Sequence, residues 1–136
     1  MKIEKATIAT GKRKTAVAKA HIKEGTGKVT INRKPMEFFP MLQILELKEP
    51  LVIAEEVLGK IDFDIFVRVT GGGIASRIEA SRLAIARAIV LYSKKEELKQ
   101  AFLAYDRNLL VADTRRKEAY KPGDSKARSK RQSSKR

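Results

Sequence analysis

Apolar and polar positions alternate between residues 15 and 23. Ala16, Ala18, Ala20 and Ile22 fall on one side, and Val17, Lys19, His21 and Lys23 on the other. A period of two predicts a strand with one buried face. Gly25-Thr26-Gly27 reads as a turn, and Val29-Thr30-Ile31 as a return strand after it. Residues 32–34 are polar and turn-like, and Pro35 limits any strand beyond them. Pro40 and Pro50 each suit the first turn of a helix, where a missing N–H costs nothing. They predict two short helices, 41–47 and 51–58, with Gly59 closing the second. A second alternating stretch spans 61–69: Ile61, Phe63, Ile65, Val67 and Val69 against Asp62, Asp64, Phe66 and Arg68. Gly71-Gly72-Gly73 ends it, and a long helix should run from 74 to 92. Its stripe of Ile74, Ile78, Ile85, Ile89 and Tyr92 falls within roughly 60° at about 100° per residue. The alanines at 75, 80, 84, 86 and 88 favour helix and allow close packing on a sheet. Ser93 with Glu96 three residues later reads as a capping box for a separate helix to about Tyr105. Leu109, Leu110 and Val111 are the last apolar cluster.

The predicted order is strand, strand, short helices, strand, long helix, helix, tail. That is an α+β fold, a mixed α/β two-layer sandwich with one sheet covered by helices on one face. At 136 residues the chain suits a single domain. We expect a globular unit over 1–113 and an extended basic tail over 114–136.

Charge changes the picture most at the C-terminus. Residues 114–136 carry ten Lys or Arg against Glu118 and Asp124, a net +8 of the chain's formal +14. Only Ala119, Tyr120 and Ala127 are hydrophobic there, too little apolar area to offset the entropy of ordering the segment. Fully extended it reaches roughly 75 Å at about 3.3 Å per residue. A long cationic arm calls for a polyanion, and nucleic acid is the commonest one. A second basic cluster, Lys12-Arg13-Lys14, precedes the first alternating stretch. Its three adjacent cations repel one another unless an anion sits nearby. Read with the tail, it is a second phosphate contact, and Arg68, Arg77, Arg82 and Arg87 are available to widen the surface. Arg77, Arg82 and Arg87 are spaced by five, so they spread around the helix and cannot form one stripe. Aromatic residues are only 6% of the chain and Trp is absent. That favours recognition of folded RNA by shape and phosphate over stacking on single-stranded bases.

Other chemistries find little support. Without Cys there is no disulfide framework, thiolate chemistry or Cys-based zinc site. The N-terminus has no apolar signal-like region, and no apolar run approaches the length of a membrane span, so neither secretion by a visible signal nor membrane insertion is expected. Read as G-x-G-x-x-G, the triglycine lacks its third glycine, since Ser76 stands there, and no P-loop pattern occurs. Gly71, Gly72 and Gly73 are therefore either a steric turn or a helix entry that holds an RNA phosphate. His21 is the only histidine and lacks a carboxylate or thiol pattern around it. Asp62 and Asp64 suggest a metal-dependent nuclease, but polar positions on a strand's outer face explain them more simply, with nearby Lys or Arg as partners. No catalytic residue, metal site, cofactor or small-molecule substrate is expected. The competing readings are an RNA-processing enzyme on a related fold and a DNA-compacting basic protein.

Three stretches together resemble one family. GKRKTAVAKAHIKEGTGKVTINRKP at 11–35, VRVTGGGIASRIEASRLAIARAIV at 67–90 and LLVADTRRKEAYKPGDSKARSKRQSSKR at 109–136 are similar to the small-subunit ribosomal protein nine family, archaeal and eukaryotic type. The resemblance covers nearly the whole chain in the right order. It implies a fold like the second domain of ribosomal protein five, and a structural constituent of the head of the small ribosomal subunit, in the cytoplasm. Its implied partners are small-subunit rRNA, P-site tRNA and neighbouring head proteins. Mapped onto this chain, rRNA contacts are expected from Lys12, Arg13, Lys14, Gly71, Gly72, Gly73, Arg77, Arg115, Arg116, Lys117, Lys121, Lys126, Arg128, Lys130 and Arg131. The P-site tRNA contact is expected from Ser134, Lys135 and Arg136. Where bacterial members have Phe before Ser-Lys-Arg, this chain has Ser133.

Overall fold

The computed structural model describes residues 7–120. Five strands form one mixed sheet: β1 (Thr7–Arg13), β2 (Ala16–Glu24), β3 (Val29–Ile31), β4 (Lys34–Pro35) and β5 (Phe63–Thr70). Three helices follow the chain as α1 (Met41–Leu58), α2 (Ile74–Ser93) and α3 (Glu96–Tyr105), with short 3-10 turns at Met36–Phe38 and Arg107–Leu109. The architecture is the expected α+β class, a sheet in the order β1-β2-β5-β3-β4 with helices packed on one face. The two alternating stretches behave as their period predicts. Ala16, Ala18, Ala20 and Ile22 of β2 and Phe63, Ile65, Val67 and Val69 of β5 are buried beneath the helices. Their alternate neighbours face out.

The strand β1 was not legible in the sequence. Its most hydrophobic residue, Ile8, is exposed, while Ala9 and Gly11 occupy the buried positions. Gly11 lets α2 approach the sheet. A Cβ at that position would lie 2.7 Å from the Ala84 amide nitrogen, against helix backbone that cannot move aside. The alanines predicted to permit close packing do so at 80, 84, 86 and 88, all fully buried, whereas Ala75 is exposed. Ile78, Ile85 and Ile89 join them in the core, but Ile74 begins the helix outside it.

The expected hairpin from 15–23 to 29–31 does not form. β3 pairs with β5, in parallel, and β5 lies between it and β2. The reason is Asp64. Its Oδ1 accepts hydrogen bonds from the backbone N–H groups of Thr26 (2.9 Å), Gly27 (3.1 Å) and Lys28 (2.9 Å). Those bonds carry the loop across the start of β5 and deliver β3 to its far edge. They hold the Asp64 carboxyl below the usual carboxylate range, the Lys28 N–H contributing most. Past β3, Asn32 and Arg33 both adopt positive φ (51° and 66°), a two-residue hairpin turn into β4. The Asn32 side chain continues the ladder, donating to the Val69 carbonyl (3.2 Å) and accepting from the Val69 N–H (2.9 Å).

Two helix expectations are corrected. Residues 41–58 form one helix with Pro50 inside it, not two. Pro50 removes one N–H, but it is fully buried where α1 packs on α2 and α3, and that packing holds both halves in line. Gly59 closes α1 as predicted, its N–H bonded to the Glu55 carbonyl at 2.8 Å. Ser93 is no cap for α3. It is the last residue of α2, its hydroxyl turned to the Val90 carbonyl, and Lys95 stands at the N-cap of α3 without a side-chain bond.

Candidate nucleic-acid interface

Because the helices cover one face, the other face of the sheet is open. Cross-strand pairing fixes what lies side by side on it. One row runs Thr10, Lys19, Arg68; the next runs Ile8, His21, Phe66, Thr30; Lys12 lies beside Val17 and Thr70, and Lys23 beside Asp64. Lys19 and Arg68 are directly opposed like charges, an arrangement that is unfavourable unless an anion neutralises it. Neither makes an ion pair among the described residues. Lys23 sits over the Phe66 ring, 4.9 Å from its centroid, and His21 lies 6.4 Å from the same ring at a 48° tilt. The face is thus cationic with a small apolar strip, and Asp64, turned to the loop amides, is its one carboxylate among the described strand residues.

Strand alternation divides the Lys12-Arg13-Lys14 cluster. Lys12 points to the open face. Arg13 points to the helix side, where its side chain is only 15% exposed and pairs with Glu79 of α2 (2.5 Å) and Asp113 (2.7 Å). Lys14 sits at the tip of the two-residue turn to β2, with φ at 53°. The three adjacent cations are therefore not one patch, and the anions that relieve their repulsion include two carboxylates of this chain.

Asp113 links the end of β1 to the segment that follows the last 3-10 turn. Its carboxylate accepts from the Arg115 side chain (3.1, 3.0 and 2.7 Å) and from the Arg115 backbone N–H (3.0 Å). These bonds, side chain first, with Arg13 adding to them, pull the Asp113 carboxyl down to about 2. The clasp brings the tail root beside the tip of the β1–β2 turn. A groove there is lined by Arg13, Lys14, Thr15, Arg115, Arg116 and Lys117, without a carboxylate in its lining. The two basic clusters that the sequence suggested would act together are therefore neighbours in space. Lys117 rests on Tyr120, 4.4 Å from the ring centroid.

The triglycine adjoins this groove. Gly71 and Gly72 have φ of 76° and 68°. A Cβ on Gly71 would stand 2.5 Å from the Thr15 carbonyl oxygen, so both glycines meet a steric demand of the turn. Gly73 is different: a Cβ there would meet open space at the N-terminus of α2. Arg77 folds back to donate to the Gly71 carbonyl at 3.0 Å. Arg82 and Arg87 hold elements together. Arg82 pairs with Glu49 and reaches Asp106 at 3.4 Å, and Arg87 donates to the carbonyls of Leu110 and Thr10, both at 2.9 Å. Lys121, Lys126, Arg128, Lys130, Arg131, Ser134, Lys135 and Arg136 lie outside the described residues. Lys19 and Lys23 were passed over as site residues, although the alternation that placed them outward was already visible.

Nothing in the described residues assembles a hydrolytic centre. Asp64 is engaged by three amides and Asp62 pairs with Lys60 at 3.3 Å. No group of three or more His, Cys, Asp or Glu among the described residues is placed to hold a metal ion.

Comparison with known proteins places the chain in a family. The family model described as Ribosomal protein S9/S16 matches residues 11–136. The small ribosomal subunit protein uS9 of Methanococcus maripaludis (strain C7) is 50% identical over 127 residues, 91% of this chain and 93% of the relative. Its counterpart in Thermoplasma acidophilum is 50% identical over 128 residues, 93% of this chain and 98% of the relative. That of Methanococcus vannielii is 48% identical over 116 residues, 85% of each chain. The chain belongs to the ribosomal protein S9/S16 family, a family of structural proteins of the ribosome rather than of enzymes.

Proposed function

We propose that this small-subunit ribosomal protein holds rRNA along one continuous cationic surface. That surface comprises the open sheet face (Lys12, Lys19, Lys23, Arg68), the turn tip at Lys14, the N-terminus of α2 behind Gly73, and the tail root at Arg116 and Lys117. The observation that carries the reading is the groove where Lys14 meets residues 115–117, lined by cations without a carboxylate. Phosphates of converging RNA strands neutralise such a groove and release their counterions, so binding weakens steeply with salt. Arg13 and Arg115 serve this surface indirectly. Fixed to Asp113, they set where the chain departs toward residues 121–136, and direction matters for residues 114–136, whose fully extended limit is roughly 75 Å at about 3.3 Å per residue. The rest of the tail, Lys121, Lys126, Arg128, Lys130 and Arg131, follows rRNA by the same chemistry. Its tip, Ser134-Lys135-Arg136, contacts the P-site tRNA.

The test is sedimentation of native small subunits after a high-salt wash. The chain should stay with the subunit; release to the top of the gradient would mean that charge alone adsorbs it. Removal of residues 134–136 should leave assembly intact and weaken P-site tRNA binding by a few-fold, as expected when a few charge-assisted contacts are lost. Unchanged tRNA binding would remove the tip from the account.

A further inference from the structure

The opposite side of the molecule has different chemistry. Helix α1 turns large apolar residues to solvent: Met41 and Leu42 are each 76% exposed, Leu45 51% and Val52 50%. Met41, Leu45 and Val52 lie within about 40° of one another on the helix, at about 100° per residue. Just upstream, in the 3-10 turn that packs against α1, Phe38 is 65% exposed. Exposed Lys48 interrupts this line and Lys34 lies over the Phe38 ring, yet so many large apolar side chains at the surface of one helix mark an interaction surface rather than scattered surface hydrophobes. Its charge runs against the rest of the chain. Glu46, Glu49, Glu55 and Glu56 face a single Lys48, so the helix is −3 in a chain that is +14. Glu49 pairs with Arg82 and Glu46 lines the cleft beside it with Arg13, Arg82 and Arg115, while Glu55 and Glu56 make no ion pair among the described residues. Phosphate would be repelled here, and the apolar stripe offers it nothing.

We propose that the outward face of α1 docks a neighbouring small-subunit protein. The partner segment presents apolar side chains to Met41, Leu42, Leu45 and Val52, flanked by Lys or Arg that meet Glu55 and Glu56. Charge complementarity selects this occupant. A basic protein matches the acidic rim, whereas RNA does not, and a second copy of this chain would have to bring the same acidic helix or give up the cationic sheet face that the reading above assigns to rRNA. The inference rests on the small-subunit reading above.

A photoreactive residue at Leu42, in the full chain assembled into purified small subunits, tests it. Irradiation should give a crosslink to a second protein, identified by mass spectrometry, with net positive charge and with Lys or Arg flanking the crosslinked residue. Charge reversal by Glu55→Lys with Glu56→Lys should cut that crosslink at least about tenfold while the chain itself still cosediments, because complementary charges govern the specificity and rate of docking. A crosslink to rRNA, to an acidic protein or to a second copy, or no crosslink in intact subunits, would overturn the proposal and leave the rRNA reading standing. Failure of the wild-type chain to cosediment would overturn both.

Discussion

The open sheet face and the outer face of α1 are both exposed, yet they invite opposite partners. On the sheet, Lys19 and Arg68 stand opposed and make no ion pair among the described residues; on α1, Glu55 and Glu56 flank exposed Met41, Leu42, Leu45 and Val52. The two faces are exposed for the same reason, since a two-layer fold buries only the surfaces between its layers. What differs is the uncompensated charge left on each. Exposure alone says that a surface is available, and the sign of its unpaired charge says to what.

The harshest way to break the comparison is to separate the layers. Gly11→Val drives a side chain into the backbone of α2 and should cost about 3 kcal/mol, read as a lower denaturation midpoint. Both faces would lose their partners together. A sharper cut spares the fold. Lys19→Glu with Arg68→Glu should weaken binding to head rRNA by roughly 100-fold at moderate salt and lower the steepness of the salt dependence by about two. The same pair should leave the α1 crosslink in place. Melting curves should barely move, because these side chains have no partner to lose.

The smallest effect concerns the joint. Asp113 has a carboxyl held down to about 2, below its unfolded value of 3.8. A depressed carboxyl lends stability above pH 3.8 and loses it as pH falls toward about 2. The link of Arg13 and Arg115 should therefore persist to about pH 3 and open below it, a change visible as altered chemical shifts at Arg115. Asp113→Asn should open it at neutral pH, with little change in melting but a looser tail root. An ordinary titration near 3.8 would deny the joint its role.

The strands β2 and β5 and the helix α2 were legible because each carries a strong, single period. Other features were hidden for physical reasons. Strand β1 buries Ala9 and Gly11 and exposes Ile8, so its hydrophobic signal is inverted by the need for close helix approach. Pro50 looked like a helix start because its compensation lies in tertiary packing on α2 and α3. The pairing of β3 depended on a carboxylate 36 residues from the Lys28 amide it holds, beyond any local turn rule. At the candidate site, the two basic clusters were visible, and the fold places them side by side. Their division was not: alternation sends Lys12 outward and Arg13 inward, and only the fold brings Glu79 and Asp113 to receive the latter.

The absence of cysteine from the chain opens a direct test. A Lys19→Cys variant carrying a tethered iron chelate, assembled into small subunits, generates hydroxyl radicals at the sheet face; a Leu42→Cys variant does so at α1. Our account predicts strong, localised cleavage of rRNA from position 19 and weak or no cleavage from position 42. Equal cleavage from both, or none from position 19, would contradict it.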